Sequence, residues 1–191
     1  MPHTKQCVVP NRALGLLLLS IGMGCAEANQ FIVAGPAGSQ RFGTAVAVLP
    51  NGDFVVADPE APGAGGIPQA GAVYHYRPNG SLVATLRGTS AGDQIGGSNL
   101  VSTNGILVLA NGNYLVRSPR WDNGSTVDAG AVTFVRGDTG LEGVVSASNS
   151  LVGSSANDFV GFLRPIALAN GNYLVLASDW DNGAATDAGA V

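Results

Sequence analysis

Residues 111–132 read NGNYLVRSPRWDNGSTVDAGAV, and residues 170–191 read NGNYLVLASDWDNGAATDAGAV. The same two anchors occur earlier in the chain, as NGDF at 51–54 and AGAV at 70–73. The first anchor thus begins at positions 51, 111 and 170, and the second at 70, 129 and 188. A nearly fixed period, here about 59 residues, predicts tandem copies of one structural unit.

Each copy contains short runs rich in Val, Ala, Tyr and Phe, which are typical of half-buried β-strands. The Asn-Gly pair between the first two runs predicts a two-residue hairpin turn in which both residues have positive φ. The predicted strands are residues 44–49, 53–57, 71–76, 82–87, 113–116, 130–135 and 173–176.

Four short strands per repeat, together with a period of this length, favour an all-β fold built from β-propeller-type four-stranded blades. Three copies are too few to close a propeller, so we expect an incomplete set of blades and a chain that is part of a longer protein. The predicted division is a signal peptide at 1–28, repeat 1 at 29–96, repeat 2 at 97–161 and a truncated repeat 3 at 162–191.

One segment recurs with a wider separation than the two anchors. Residues 86–96 (LRGTSAGDQIG) return at 151–161 (LVGSSANDFVG). The second copy therefore contains about six extra residues, and we place them between Gly97 and Ala110.

The N-terminal segment has the pattern of an export signal. Lys5 and Arg12 precede an apolar stretch at 13–24 that is too short to span a bilayer, and Ala26-Glu27-Ala28 fits a small-residue cleavage site. We expect cleavage after Ala28 and a secreted or cell-surface protein. The alternative is a lipid anchor on Cys25, which directly follows the apolar stretch.

Composition excludes some partner classes. The formal net charge is −4 and charged residues make up 12% of the chain, with no cluster of Lys and Arg. A nucleic-acid-binding surface needs such a cluster, so we expect no nucleic-acid partner. The chain also contains no apolar run long enough for a transmembrane helix.

The first copy resembles the FG-GAP blade of integrin-like β-propellers. The resemblance rests on Phe42-Gly43, on the NGDFVVADP stretch at 51–59, and on the GAVYHY stretch at 71–76. The later copies, with Trp-Asp-Asn-Gly and Ala-Gly-Ala-Val, are similar to tandem repeats of secreted bacterial haemagglutinin-like proteins. The resemblance implies a propeller fold and a role in adhesion.

Many FG-GAP blades have a calcium-binding loop before the second strand, but here that loop retains one carboxylate, Asp53, in one copy. Calcium requires six to eight oxygen ligands, so we expect no cofactor and no metal at this place. The weaker candidates for a calcium site are the acids of the loop between the second and third strands. These are Asp122, Asp128, Asp179, Asp181 and Asp187. The alternative is that Asp-Asn-Gly only forms a turn.

Two pairs of residues recur at equivalent positions. Trp121 and Trp180 are either stacking platforms for a ligand or packing residues between blades, and their repetition favours packing. Asp93 and Asp158 are expected to cap turns through backbone hydrogen bonds.

No catalytic set is evident, because His75 is the only histidine after the signal segment and lies within a predicted strand. We therefore expect a non-catalytic protein for adhesion, scaffolding or ligand binding through blade loops, with a surface protein or a carbohydrate as ligand. The alternatives are a propeller-fold hydrolase or lyase with catalytic residues outside this chain, and a calcium-binding surface module.

Overall fold

The computed structural model describes residues 32–97 and 105–191. Within them the protein is all-β, with no α-helix and one 3-10 turn at Ala64–Gly66. The architecture below belongs to the unit Val33–Val191. The predictions for residues 1–28, including cleavage after Ala28 and lipidation of Cys25, lie outside the described residues.

Three sheets contain all the named strands of the described part. The first sheet has the order β1-β2-β3-β4-β8, the second β5-β6-β7-β9 and the third β10-β11. The strands are β1 Ala45–Val48, β2 Phe54–Asp58, β3 Ala72–Tyr76, β4 Leu82–Arg87, β5 Ile106–Val108, β6 Tyr114–Ser118, β7 Ala131–Val135, β8 Gly143–Val144, β9 Ser150–Val152, β10 Ile166–Ala167 and β11 Tyr173–Leu174.

The seven predicted strands are confirmed, each to within about two residues at its ends. Strands β5, β8, β9 and β10 were not predicted, and each is only two or three residues long. Repeats 1 and 2 each form an antiparallel meander of four strands, and successive strands pair through backbone hydrogen bonds.

The predicted position of the six extra residues is wrong. Val73 pairs with Leu86, whereas the equivalent Val132 pairs with Leu151, so the second connection is longer by the whole insertion. The extra residues therefore lie between β7 and β9. This longer connection contains β8, which pairs in parallel with β4 and so joins repeat 2 to the edge of the first sheet.

The hairpin tips also differ from the predicted geometry. Gly52 has a φ of 87°, but Asn51 is not among the residues with positive φ. The amide of Gly52 donates to the carbonyl of Leu49, and the amide of Leu49 donates to the carbonyl of Asp53. This is a three-residue turn with a left-handed glycine bulge, and Pro50 at its second position suits the required φ.

The asparagine stabilises this turn with its side chain rather than with its backbone. Asn51 Oδ1 accepts a hydrogen bond of 3.0 Å from the amide of Asp53. Asn79, Asn111 and Asn170 make the same bond to the residue two positions later. These four Asn-Gly pairs at hairpin tips therefore form one type of side-chain-supported turn.

The sheets stack face to face because alternate residues of each strand point to opposite faces. The first core lies between the first and second sheets and contains Val55, Val73 and Leu86 packed with Tyr114 and Val116. The second core lies between the second and third sheets. It contains Leu107, Leu115 and Val132 packed with Val175 and Tyr173.

The outer face of the first sheet carries a third cluster. Tyr74 and Tyr76 are buried there, and Val33 and Phe42, which precede β1, pack against them. The Phe42 and Tyr74 ring centroids lie 5.6 Å apart. The segment before β1 therefore covers one end of the stack of sheets.

Candidate functional site

A buried polar network joins the first two sheets. His75 Nε2 lies 3.0 Å from Asp53 Oδ2, and His75 Nδ1 lies 3.2 Å from the Tyr114 hydroxyl. All three side chains are almost fully buried. With Nε2 protonated, the neutral imidazole donates to Asp53 and accepts from Tyr114. Burial raises the pKa of Tyr114 well above its usual value, so its hydroxyl stays a donor.

Asp53 also accepts from residues nearer the surface. Arg77 Nη1 lies 2.8 Å and Asn51 Nδ2 lies 3.1 Å from its Oδ2. Asn51 Nδ2 additionally donates to the carbonyl of Gly137 in repeat 2. Both nitrogens of His75 are thus engaged and its ring is closed to solvent, so the network acts as a joint between repeats.

A groove lies over this joint, at the hairpin-tip end of the strands. Its volume is about 530 Å³. We call it the hairpin-tip groove. It is lined by Pro50, Asn51, Asn111, Gly112, Asn113, Phe134, Arg136, Gly137 and Asp138.

The groove offers an aromatic ring and charged planar groups to solvent. The Phe134 side chain stacks on Tyr173, with ring centroids 6.2 Å apart and an interplanar angle of 13°. Arg136 and Asp138 form an ion pair at 2.8 Å with more than half of each side chain exposed. Hydrogen bonding from Arg136 lowers the pKa of Asp138 to about 2, so the carboxylate is charged at neutral pH.

Among the five candidate calcium ligands, the carboxylates of Asp122 and Asp181 support two equivalent turns. Asp122 Oδ1 accepts from the amide of Asp128, and Asp181 Oδ1 accepts from the amide of Asp187, both at 2.9 Å. Asp179 accepts from the hydroxyl of its neighbour Ser178. Burial, with the charge of Asp122, raises the pKa of Asp128. In the described ranges no three acidic, histidine or cysteine side chains form a metal-binding group.

Asp93 and Asp158 connect each repeat to the next. Asp158 Oδ2 accepts from the amides of Ser154 and Ser155, while its Oδ1 accepts from the amide of Asp181 in repeat 3. Asp93 makes the same set with Thr89, Ser90 and Asp122. Each carboxylate therefore holds its own turn and the Trp-Asp-Asn-Gly loop of the following repeat. Burial raises the pKa of Asp93, and its three N–H donors oppose that shift.

The two tryptophans lie at equivalent places between sheets. Trp121 is buried in the first core, and Trp180 is partly buried against the second core. Neither ring is among the residues that line the hairpin-tip groove. Both tryptophans therefore lie where side chains pack between neighbouring sheets.

Arg117 is a buried cation that the sequence analysis did not single out. Its Nε donates to the carbonyl of Gly161 at 2.7 Å, and its Nη2 donates to the carbonyl of Phe162. Burial, with the nearby charge of Arg164, lowers its pKa. The equivalent residues are Ala57 and Leu176, so an arginine here is specific to repeat 2. In the sequence, Arg117 directly follows the apolar run Tyr114-Leu115-Val116, and this position could have indicated a buried arginine.

Part of the chain is similar to a known family of repeats. A family model described as a repeat of unknown function (DUF5650) matches residues 108–162 and 167–191. The starts of the two matches reproduce the period seen in the sequence. The chain matches no curated protein. Among the residues that the structure describes, no helix is long and apolar enough to cross a membrane.

Proposed function

We propose that this chain is a non-catalytic, secreted or cell-surface repeat protein that binds a carbohydrate ligand in the hairpin-tip groove. The observation that carries the proposal is the pairing of an exposed aromatic ring with exposed planar polar groups in one groove. Phe134 supplies the ring, and Arg136, Asp138 and Asn113 supply the donors and acceptors. An aromatic face packs on the C–H groups of a sugar ring, while a few polar groups fix its orientation.

The sheets support blades of the β-propeller type, displayed as an adhesive scaffold. Two successive repeats form four-stranded antiparallel meanders that stack face to face. Several buried ionisable groups hold repeats together. Asp93 and Asp158 each accept from an amide of the next repeat, and His75, which bonds to Asp53, contacts Tyr114 of repeat 2. The loop tips are then the part of the protein that contacts the ligand, as is general for binding sites on rigid scaffolds.

The test is direct binding. The exported protein is screened on a glycan array, and hits are measured by calorimetry with Phe134→Ala and Arg136→Ala. We expect each substitution to weaken binding by about tenfold, equivalent to about 1.4 kcal/mol. Val127→Ala is the matched control, because Val127 is exposed and lies in the loop at the opposite end of the strands. Glycan binding unaffected by both groove substitutions, or no glycan binding at all, would reject the proposal.

Export is proposed on the N-terminal pattern alone. Mass spectrometry of the mature protein distinguishes the two forms of processing. A chain beginning at Asn29 supports release, whereas a lipid-modified Cys25 supports a surface anchor. An unprocessed chain in the cytoplasm would contradict both.

A further inference from the structure

Arg117 carries a positive charge inside the junction between the second and third sheets. Its side chain is 1% exposed. Leu115, two residues earlier on β6, belongs to the second core, and the alternation of side chains along a strand places Arg117 on the same face. The guanidinium group reaches the carbonyls of Gly161 and Phe162, at the start of the segment that leads to β10. It therefore lies between repeat 2 and the chain entering repeat 3.

The protein partners of this guanidinium group are neutral. Nε and Nη2 donate to the two backbone carbonyls, which supply only partial negative charge. Among the described residues no carboxylate forms an ion pair with Arg117. A buried charge is ordinarily paired, because the loss of its hydration is strongly unfavourable. The positive charge of Arg117 is thus left without compensation by the chain around it.

The third nitrogen of the group indicates where a ligand would lie. Arg117 Nη1 is buried and has no hydrogen-bond partner, although this nitrogen carries two N–H donors. Buried donors in folded proteins are almost always satisfied, and an unsatisfied one indicates a water molecule or an ion. Because this donor belongs to an uncompensated cation, an anion satisfies both its hydrogen bonds and its charge.

Arg164 adds a second positive charge near the first. It is exposed and follows Gly161 by three residues, on the segment before β10. Burial, and then the charge of Arg164, lower the pKa of Arg117, so the two guanidinium groups are close enough to repel each other. None of the described ion pairs includes Arg164. An anion held between two like charges replaces their repulsion with two attractions.

We propose that Arg117 Nη1, together with Arg164, binds a halide ion, in practice chloride, at the junction of the second and third sheets. The size of the ion follows from access. Nη1 is closed to solvent, so a bulky organic acid cannot reach it, whereas a halide is little larger than a water molecule. The site is specific to this junction, because Ala57 and Leu176 occupy the positions equivalent to Arg117.

The test compares the melting temperature of the full chain in sodium chloride and in sodium gluconate. The two salts are used at equal ionic strength, so that general screening of charges is the same. We expect chloride to raise the melting temperature by about 3 °C or more, because an ion that binds only the folded state stabilises it. Bromide should have the same effect. Equal melting temperatures in chloride and gluconate would overturn the proposal.

Substitutions locate the ion. Arg117→Leu introduces the residue that repeat 3 has at this position, and it should remove the difference between the two salts whatever its own effect on stability. Arg164→Gln should reduce that difference. Arg41→Gln is the matched control, because Arg41 is exposed and paired with Glu60, and it should retain the wild-type difference. A full chloride effect in Arg117→Leu would place the ion elsewhere and reject this site.

A crystal grown in sodium bromide provides a check that needs no variant. Anomalous scattering should show a bromide ion within hydrogen-bond distance of Arg117 Nη1. A water molecule at this place, or no anomalous signal there, would reject the site. Bromide in the crystal without a chloride effect on the melting temperature would be binding at crystal concentration only, and would equally overturn the proposal.

Discussion

Asp93 and Asp158 show how one residue type can act at two levels of the structure. Each carboxylate accepts two amides of its own turn through one oxygen and an amide of the next repeat through the other. Removing such an acceptor leaves buried donors without a partner, which costs more than the bond itself contributes. A short polar side chain thus fixes both a turn and the position of the following repeat.

Replacing Asp158 by alanine should lower the free energy of unfolding by about 2 to 3 kcal/mol, because three amide donors lose their acceptor. Urea denaturation measures the change. Asp158→Asn retains an acceptor oxygen and should recover part of the loss. Asp179→Ala is the control, since Asp179 accepts from its neighbouring serine hydroxyl in an exposed contact and should change stability little. Equal effects of Asp158→Ala and Asp179→Ala would contradict the structural role.

Tyr114 should make the protein sensitive to alkaline pH. Burial raises its pKa in the folded protein, whereas in the unfolded chain the pKa is about 10. The folded protein therefore holds a proton that the unfolded chain releases above that pH. Stability is expected to fall as pH rises beyond about 10.

The alkaline prediction is checked by denaturant curves between about pH 9 and 11.5. Tyr114→Phe should be less stable at neutral pH by about 1 kcal/mol, because the bond to His75 is lost. Above about pH 10 the stability of Tyr114→Phe should decline less steeply with pH than that of the wild type. The difference between the two slopes should correspond to at most one proton per molecule. Tyr173→Phe, at the equivalent half-buried position of repeat 3, is the control for the loss of a tyrosine hydroxyl. An unchanged slope in Tyr114→Phe would refute the assignment.

At the scale of strands and turns, the backbone of one repeat passes very close to that of the next segment. Gly130 has a φ of 76°, and the amide and carbonyl of Val160 lie where its Cβ would be. Gly71 has the same relation to Ile95. The isolated bridges Gly71 to Ile95 and Gly130 to Val160 depend on this approach.

Gly130→Ala should be much more destabilising than Gly124→Ala. Both glycines have positive φ, but the space around a Cβ at Gly124 is open. Gly124→Ala therefore measures the backbone strain alone, about 1 to 2 kcal/mol. Gly130→Ala adds the clash with Val160 and should cost at least about 3 kcal/mol. Thermal unfolding of the two variants under the same conditions gives the comparison, and similar melting temperatures would rule out the close approach.

The sequence predicted the strands whose signals are local and missed those that depend on distant partners. The runs around Val55, Val73 and Val132 have strong β-forming residues, and Asn-Gly pairs flank the first two. Strand β8 is formed by Gly143 and Val144, and its partner β4 belongs to the preceding repeat, far away along the chain. No local pattern encodes such a pairing.

Two further features were not predicted from the sequence: the form of the hairpin turns and the contacts of His75. Asn-Gly indicated a turn, but Pro50 and the side-chain bond of Asn51 selected the three-residue form. His75 was recognised only as a strand residue. Its contact with Tyr114 depends on which faces of two sheets meet, and that is a property of stacking.

At the scale of the whole molecule, stability is distributed along a stack of sheets. The second sheet is packed on both faces, the first is packed on its inner face and covered by Val33 and Phe42 outside, and the third is packed on one face. In repeat proteins, stability is approximately the sum of each unit and its contacts with neighbours. A unit with fewer contacts opens more readily than one with two covered faces.

Native-state hydrogen exchange should therefore follow the order of packing. Amides of β6 and β7 are expected to exchange slowest, because cores lie on both sides of the second sheet. Amides of β10 and β11 should exchange about tenfold faster or more, by local opening of the third sheet.

Amides of β2 and β3 are the internal control: their sheet is covered at its outer face by Phe42, so they should remain close to β6 in protection. Phe42→Ala should then raise the exchange rate of β2 and β3 without affecting β6. Identical protection in all three sheets would mean that the stack unfolds as one cooperative unit and that the uncovered face of the third sheet has no energetic consequence.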